Sequence, residues 1–371
     1  MRAEVVRCWT MTRTSSCTGS CMMRTVVNRM AFDFDEVRFD WGDVVLAAIG
    51  WGEWQLLECS AADGLAPACA AECREQVDAA ALRDSVVRLR RARGLLAGED
   101  YERWLADWSL STEDIRAYFG DAALSGRTAD GVANQSAEHR PDTGRLARAV
   151  RNAAILSGRL QSWAERLANC AAAAAGLTAL GEETPTVSRD GIAGLLDAAG
   201  ACRASGLDEA QVRARAPRIA ELQTAERTFA DRVVKPERIK CCISEHPLDW
   251  QRFAWEEVSF AGEGAAREAA LLVREGGMGL AEVARLARAA IGLREAYCED
   301  ATELAGVLAA AAPGELLGPF AGDCGWRLVR LRERTPPTGD DIALRDRARS
   351  ELLEDALGRY LAGRVTWHGE R

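Results

Sequence analysis

Histidine is the scarcest chemistry-bearing residue in this sequence: His139, His246 and His368 are the whole complement in 371 residues. His139 lies in a polar stretch and His368 in the last few residues, which excludes a Ser-His-Asp triad. Aromatic residues make up only 6%, although eleven of them are tryptophan. No run approaches the ~20 apolar residues of a membrane-crossing helix. The first thirty residues carry arginine and cysteine where a signal peptide has an apolar core, so the expected compartment is the cytoplasm. Twelve cysteines are present, but they are scattered along a long chain and none forms a CxxC pair, which argues for reduced thiols over a disulfide framework. Cys17/Cys21, Cys69/Cys73 and the Cys241-Cys242 pair ahead of His246 come nearest to metal-ligand spacing. With the histidines far apart, they predict no metal and no cofactor. Cys242 and His246 also have the spacing of a nucleophile and base on one helix face, but Pro247 and the lack of a third member set that aside. A Walker A sequence and a GxGxxG fingerprint are both missing, since Gly262-Glu-Gly-Ala-Ala reads as a strand-to-helix turn. No repeat of solenoid length is found.

What is present is a helix-favouring composition rich in Ala, Arg, Leu and Gly, with 48% hydrophobic residues and a net charge of −9. At roughly 150 residues per domain the length implies two or three domains, and the acidic balance argues against a general nucleic-acid binder, while leaving room for a local basic groove. Residues 1–29 hold five arginines against one glutamate and no apolar period. They read as a disordered leader, with Met1 and Met30 both open as the start of the folded protein.

Phe34–Phe39 predicts a brief strand leading into a helix from Trp41. Leu82, Val86 and Leu89 make an apolar stripe ended by Gly94. Tyr101, Trp104, Leu105 and Trp108 make a second stripe at helical spacing. Ser111-Thr-Glu-Asp114 opens a third helix with a capping box. Arg83, Arg88, Arg90, Arg91 and Arg93 read as the solvated face of their helix, not as an acidic-peptide site. After a linker over 125–144, one helical pattern runs from Leu146 to Gly176. Further helices follow near Arg189–Ala204 and Glu209–Val234, the second capped by Asp208 with Gln211 and kinked or split by Pro217. Trp255–Leu331 reads β-α-α-β-β, with a shorter helix over Thr302–Ala312. Thr338-Gly-Asp-Asp341 opens a long final helix, and Arg364–Trp367 forms a last strand.

Pro313-Gly-Glu-Leu-Leu-Gly-Pro319, a Gly-rich hairpin and the alternating strand Trp326–Leu331 come in the order seen at the end of a parvulin-type (PpiC/SurA-like) peptidyl-prolyl isomerase domain, which the segment resembles. With Gly94-Leu-Leu, Trp104-Leu, Leu110-Ser-x-Glu-Asp114, Ala265-Ala-Arg-Glu-Ala269, Arg334-x-Pro-Pro337 and Arg364-Val-x-Trp367, the layout is similar to PpiC-related peptide maturation system proteins. That resemblance implies an α+β protein. It comprises a mostly helical SurA-like chaperone region, one small parvulin-like α/β domain, and a C-terminal helix and strand folding back on the N-terminal region. The implied division is a leader (1–29), an N-terminal helical domain (30–124), a linker (125–144), a helical region (145–249), a parvulin-like domain (250–336) and a C-terminal helix and strand (337–371).

Parvulins ring an apolar proline pocket with two histidines. The first-strand position falls in Trp255–Phe260, which has none, and the last-strand position is Arg327. The resemblance therefore implies a non-catalytic peptide-binding site, with Val258, Phe260, Leu280, Leu304, Phe320 and Arg327 as its residues. The implied partners are a precursor peptide and peptide-modifying enzymes, with no nucleic acid and no membrane. The implied function is chaperoning a ribosomally made peptide during maturation. The alternatives are a residual peptidyl-prolyl isomerase and a structural subunit of a larger synthetase.

Overall fold

The computed structural model describes residues 26–70, 79–128, 142–183, 185–322 and 325–368. Most of the leader (1–25) and most of the linker (129–141) lie outside them, and so do Cys17, Cys21, Cys73 and His139. The first part of the chain forms β1 (Met30–Phe34), β2 (Val37–Asp40), α1 (Trp41–Gly50), α2 (Glu53–Ala70), α3 (Ala79–Ala92), α4 (Gly98–Asp107), α5 (Thr112–Thr128), α6 (Thr143–Leu156), α7 (Arg159–Ala179), α8 (Arg189–Ala201) and α9 (Glu209–Val233). Then come α10 (Pro236–Glu245), β3 (Arg252–Phe260), α11 (Glu263–Arg274), α12 (Leu280–Leu286), β4 (Ile291–Tyr297), a 3₁₀ turn (Glu299–Leu304), α13 (Ala305–Ala310), β5 (Leu316–Gly322), β6 (Gly325–Thr335), α14 (Ile342–Leu361) and β7 (Val365–Trp367). The fold is α+β, with two small antiparallel sheets among the described residues. Two compact units divide the chain, one from Met1–Ala230 with Leu357–Arg371, the other Asp231–Ala356.

In the first unit the sheet order is β2-β1-β7. The last strand returns to the first as expected, with Phe34 opposite Val365 and Phe32 opposite Trp367. Phe32 stacks on Phe39 at 4.7 Å and meets Trp367 at 5.2 Å. Phe34–Phe39 is not one strand but the turn of a hairpin. Asp35 adopts φ +52°, a left-handed conformation that aspartate tolerates better than most residues. Its amide donates to the Arg364 carbonyl at 2.8 Å, and its carboxylate accepts from Arg364 Nε at 2.9 Å.

Helix α1 is buried from Trp41 to Ile49. It begins in a capping box, where the Asp43 amide donates to Asp40 Oδ1 at 2.9 Å and the Asp40 amide to Asp43 Oδ2 at 3.1 Å. Arg215 of α9 closes on Asp40 at 2.7 Å, and Arg218 pairs with Asp43. The helical pattern after Leu146 breaks into α6 and α7 because Gly158 turns the chain at φ +84°. Pro217 does not split α9. It stands on the exposed side, where the carbonyl that loses its N–H partner can turn to water. Two of the α3-region arginines are not solvated spectators either. Arg90 donates to the carbonyls of Leu95 and Leu96 at 2.9 and 2.7 Å, and Arg93 to Ile155 at 2.6 Å.

The polar centre of this unit is the expected cap at Ser111, extended inward. The Asp114 amide donates to Ser111 Oγ at 3.2 Å and the Ser111 amide to Asp114 Oδ2 at 2.9 Å. The same carboxylate takes Arg148 at 2.7 Å and the fully buried Arg151 at 3.0 Å. Burial opposes ionisation of Asp114, but the bonds from Ser111 and Arg148 and the charge of Arg151 outweigh it and hold the carboxyl well below its usual range.

The second unit is built on a four-stranded sheet of order β4-β3-β6-β5. β3 and β6 are neighbours, with Phe260 opposite Trp326 and Val258 opposite Leu328. Strand alternation gives this sheet two apolar faces. Val258, Phe260 and Leu328 pack under Ala266, Ala269 and Ala270 of α11 and Leu280 and Val283 of α12. Phe253, Trp255, Val329 and Leu331 pack on the other side against Leu304, Leu308 and Ala311.

The Pro313–Pro319 motif ties these layers together. The Gly314 amide donates to Leu331 O at 2.7 Å and the Ala312 amide to the Glu315 carboxylate at 2.8 Å. Arg274, at the end of α11, donates to Leu316 O and Gly318 O at 3.2 and 3.0 Å. Arg334, of the Arg-x-Pro-Pro motif, donates to the carbonyls of Leu308, Ala309 and Ala311, the closest at 2.5 Å. It thereby closes the C-terminal end of α13. A third cluster joins Cys242, Ile243 and Trp250 to Leu344 and Ala348 of α14.

β4 is the element that the β-α-α-β-β reading omits. Four of its seven residues are exposed, so the strand lacks the half-buried alternation that marks β3.

Asp114→Asn should remove the carboxylate charge that faces the buried Arg151 and lower unfolding stability by about 3–5 kcal/mol in a urea melt. Because the folded carboxyl titrates below its unfolded value, its contribution is complete above about pH 4 and is lost as pH falls from there. The acid limb of a stability–pH curve should accordingly flatten in the variant. Gly325→Ala places a Cβ 2.3 Å from Phe260 O at φ +127°. It should lower the melting temperature by several degrees, with a cost of at least about 2 kcal/mol.

Candidate functional site

The six expected binding residues do not converge on one pocket. β3 and β6 lie side by side with Ser259 opposite Arg327, so side-chain alternation sends Val258 and Phe260 to one face and Arg327 to the other. Val258 and Leu280 are fully buried in the α11/α12 core, and Leu304 is buried in the opposite one. These three hold the fold and offer no contact surface. Phe260 is buried as well, at the floor of a groove on that first face, and only Phe320 and Arg327 reach the surface, on the other face.

On the α13 face, Phe320 is half-buried beside its cross-strand partner Arg327. Arg327 is ion-paired with Glu303, which reaches over from the 3₁₀ turn. Its Nε is buried with no hydrogen-bond partner among the described residues. Glu257 projects from the same face of β3 and accepts from Trp255 Nε1 at 3.4 Å. No histidine reaches this place among the described residues. His246 stacks on Trp250 at 4.6 Å, and His368 bonds Asp33 at 2.8 Å in the other unit. A guanidinium acts only as a donor, so Arg327 can hold a carbonyl or carboxylate but cannot exchange a proton as the imidazole it replaces would.

The other face carries a groove of ≈ 570 Å³ between the end of β3 and helices α11 and α12. Phe260, Ala269 and Val283 line it, with Leu272 and Leu286 at its rim and one charge of each sign, Glu268 and Arg288. Leu286 is 62% exposed. Beyond it runs the edge strand β4. Ile291 lies opposite Val258 and Leu293 opposite Glu256, so both project on the groove's side of the sheet. Both are exposed, Leu293 at 73%. Leu272, Leu286, Ile291 and Leu293 thus give the unit an apolar surface next to unpaired strand edge, a combination that soluble proteins generally cover or use.

The Cys242–His246 spacing does place both residues on one side of α10 and its C-cap, joined there by Glu351 of α14. As a nucleophile Cys242 is unsuited: burial first, then the charges of Glu351, Glu245 and Asp355, push its thiol up to about 11. A thiol so protonated near neutral pH attacks poorly. Among the described residues no helix is long and apolar enough to cross a membrane. No protein-family model matches the chain, and no curated protein matches it significantly.

Leu280→Ala should cost about 2–5 kcal/mol of stability by opening a cavity under α12. Leu286→Ala, at the rim, should stay within about 0.5 kcal/mol of the parent. Urea melts of the two variants test this division between core and surface.

Proposed function

We propose that this protein binds an extended, apolar stretch of a ribosomally made precursor peptide and presents it to modifying enzymes in the cytoplasm, through a parvulin-like domain that has lost its catalysis. The observation that carries the reading is the apolar groove at Phe260, Leu272 and Leu286 lying on the same side of the sheet as the exposed Ile291 and Leu293 of an edge strand. A peptide strand added along β4 gains main-chain hydrogen bonds, and alternate side chains settle against the apolar surface. The scaffold supports it as well. The first strand of the unit's sheet lies beside the last, each face is covered by helix, and Pro313–Pro319 leads into the closing strand. Rotation about an X–Pro bond faces a barrier of roughly 18–20 kcal/mol, and the fixed charge pair Arg327–Glu303 takes the place where the family has histidine.

Fluorescence anisotropy with a labelled peptide of alternating valine and threonine, flanked by lysines, tests the reading. Saturable binding should weaken at least tenfold in Leu293→Lys and in Leu286→Glu. Leu248→Ala, at an exposed leucine away from the groove, should bind like the parent. Equal affinity in all four proteins, or no saturation, refutes the assignment. A proline-isomerisation assay on a tetrapeptide should show no acceleration. A rate gain that disappears in Phe320→Ala would establish the isomerase instead.

A further inference from the structure

α10 and α14 meet at the third apolar cluster of the second unit, and its edge is polar in a way the packing does not require. Cys242 lies on the buried side of α10, 5% exposed, against Trp250, Leu344 and Ala348. His246 follows four residues on, at the C-cap of the same helix, and so stands over Cys242. Glu351 comes across from α14. The Cys242 Sγ, an imidazole nitrogen of His246 and a carboxylate oxygen of Glu351 all lie within 4.8 Å of one another. The His246 Nε2–Glu351 Oε1 distance is 3.1 Å. The His246 ring stacks on Trp250, tilted by only 19°, and Asp249 Oδ2 lies 3.8 Å from its Nδ1, beyond hydrogen-bond distance.

We propose that Cys242, His246 and Glu351 form a binding site for a zinc-class divalent cation that fastens α10 to α14. A tetrahedral zinc ion spaces sulfur, nitrogen and oxygen ligands roughly 3.4–3.6 Å apart. The His246–Glu351 separation of 3.1 Å is a little short of that spacing and the three atoms lie within 4.8 Å of one another, and Glu351, at 40% side-chain exposure, is free to make the adjustment. One thiolate, one imidazole and one carboxylate suit zinc and neighbouring borderline ions, whereas magnesium and calcium call for oxygen alone. Three protein ligands leave a fourth position for water on the solvent side, where His246 is 30% exposed. The acidic neighbours Asp249 and, one turn beyond Glu351, Asp355 add to the attraction for a dication. Cysteine, histidine and glutamate come from two helices that the apolar cluster has already brought together, so the cation finds its ligands in place.

The metal-free 371-residue chain, prepared with EDTA, should take up one zinc ion per chain from ZnCl₂ in calorimetry, with a dissociation constant on the order of 1 μM or tighter. CoCl₂ should produce the strong near-ultraviolet absorption of a cobalt–thiolate bond. Cys242→Ser should abolish that band, while Cys241→Ser, at the exposed neighbouring thiol, should keep it. His246→Gln and Glu351→Gln should each weaken zinc binding at least tenfold. Zinc should raise the melting temperature of the parent by several degrees and leave that of Glu351→Gln unmoved. Glu351→Gln changes a partly exposed side chain, and its metal-free melting curve checks that it folds. Absence of uptake, or a cobalt–thiolate band and zinc affinity that survive Cys242→Ser, overturns the proposal.

Discussion

The second unit depends on the lateral pairing of β3 with β6, from Arg252 opposite Thr335 to Phe260 opposite Trp326. These central strands are apolar at both parities, so each face of the sheet demands its own helical cover. α11 and α12 supply one, and the 3₁₀ turn with α13 supplies the other. The arginines at the strand ends serve the same arrangement. Arg274 holds β5 to α11, and Arg334 holds α13 to the sheet through three carbonyls. Cover runs out at β4, whose outward residues meet solvent. The face on which a ligand is proposed to dock is therefore the margin where two-sided burial ends.

Within the first unit the corresponding constraint is charge. Asp114 and Arg151 are both buried, and each is tolerable there because the other is present, together with Ser111, Arg148 and Asn152. Asp43 under Arg218 and Arg215 repeats the device at the start of α1. Such pairs contribute little net stability over an apolar packing, yet removing one member is costly. They therefore fix which helix end meets which neighbour.

Much of this was legible in the sequence, and the parts that were share a property: their signal is local. The Ser111/Asp114 and Asp208/Gln211 caps form as the spacing predicts. The alternation in Trp255–Phe260 and Trp326–Leu331 marks two strands that turn out adjacent, and the pairing of Val365–Trp367 with β1 follows the resemblance. What escaped was decided by tertiary context. β4 is half polar on both sides, so its strand character comes from the backbone bonds of β3. Gly158 and Asp35 act through positive φ, which a periodic pattern does not reveal. Val258 and Leu280 carry the same apolar signal whether they line a pocket or fill a core. The Cys242–His246 spacing was visible, but its third member waits on another helix, far along the chain.

The β1–β7 pairing makes the first unit discontinuous: the whole of Asp231–Ala356 is inserted between its two parts. Every strand of the inserted sheet precedes Val365–Trp367 in the chain. β1 and β2 must meanwhile wait as a two-stranded hairpin, an arrangement that is marginal on its own in water. Closing the first unit's sheet thus waits on a strand supplied from beyond the inserted unit, and β7 serves as its latch.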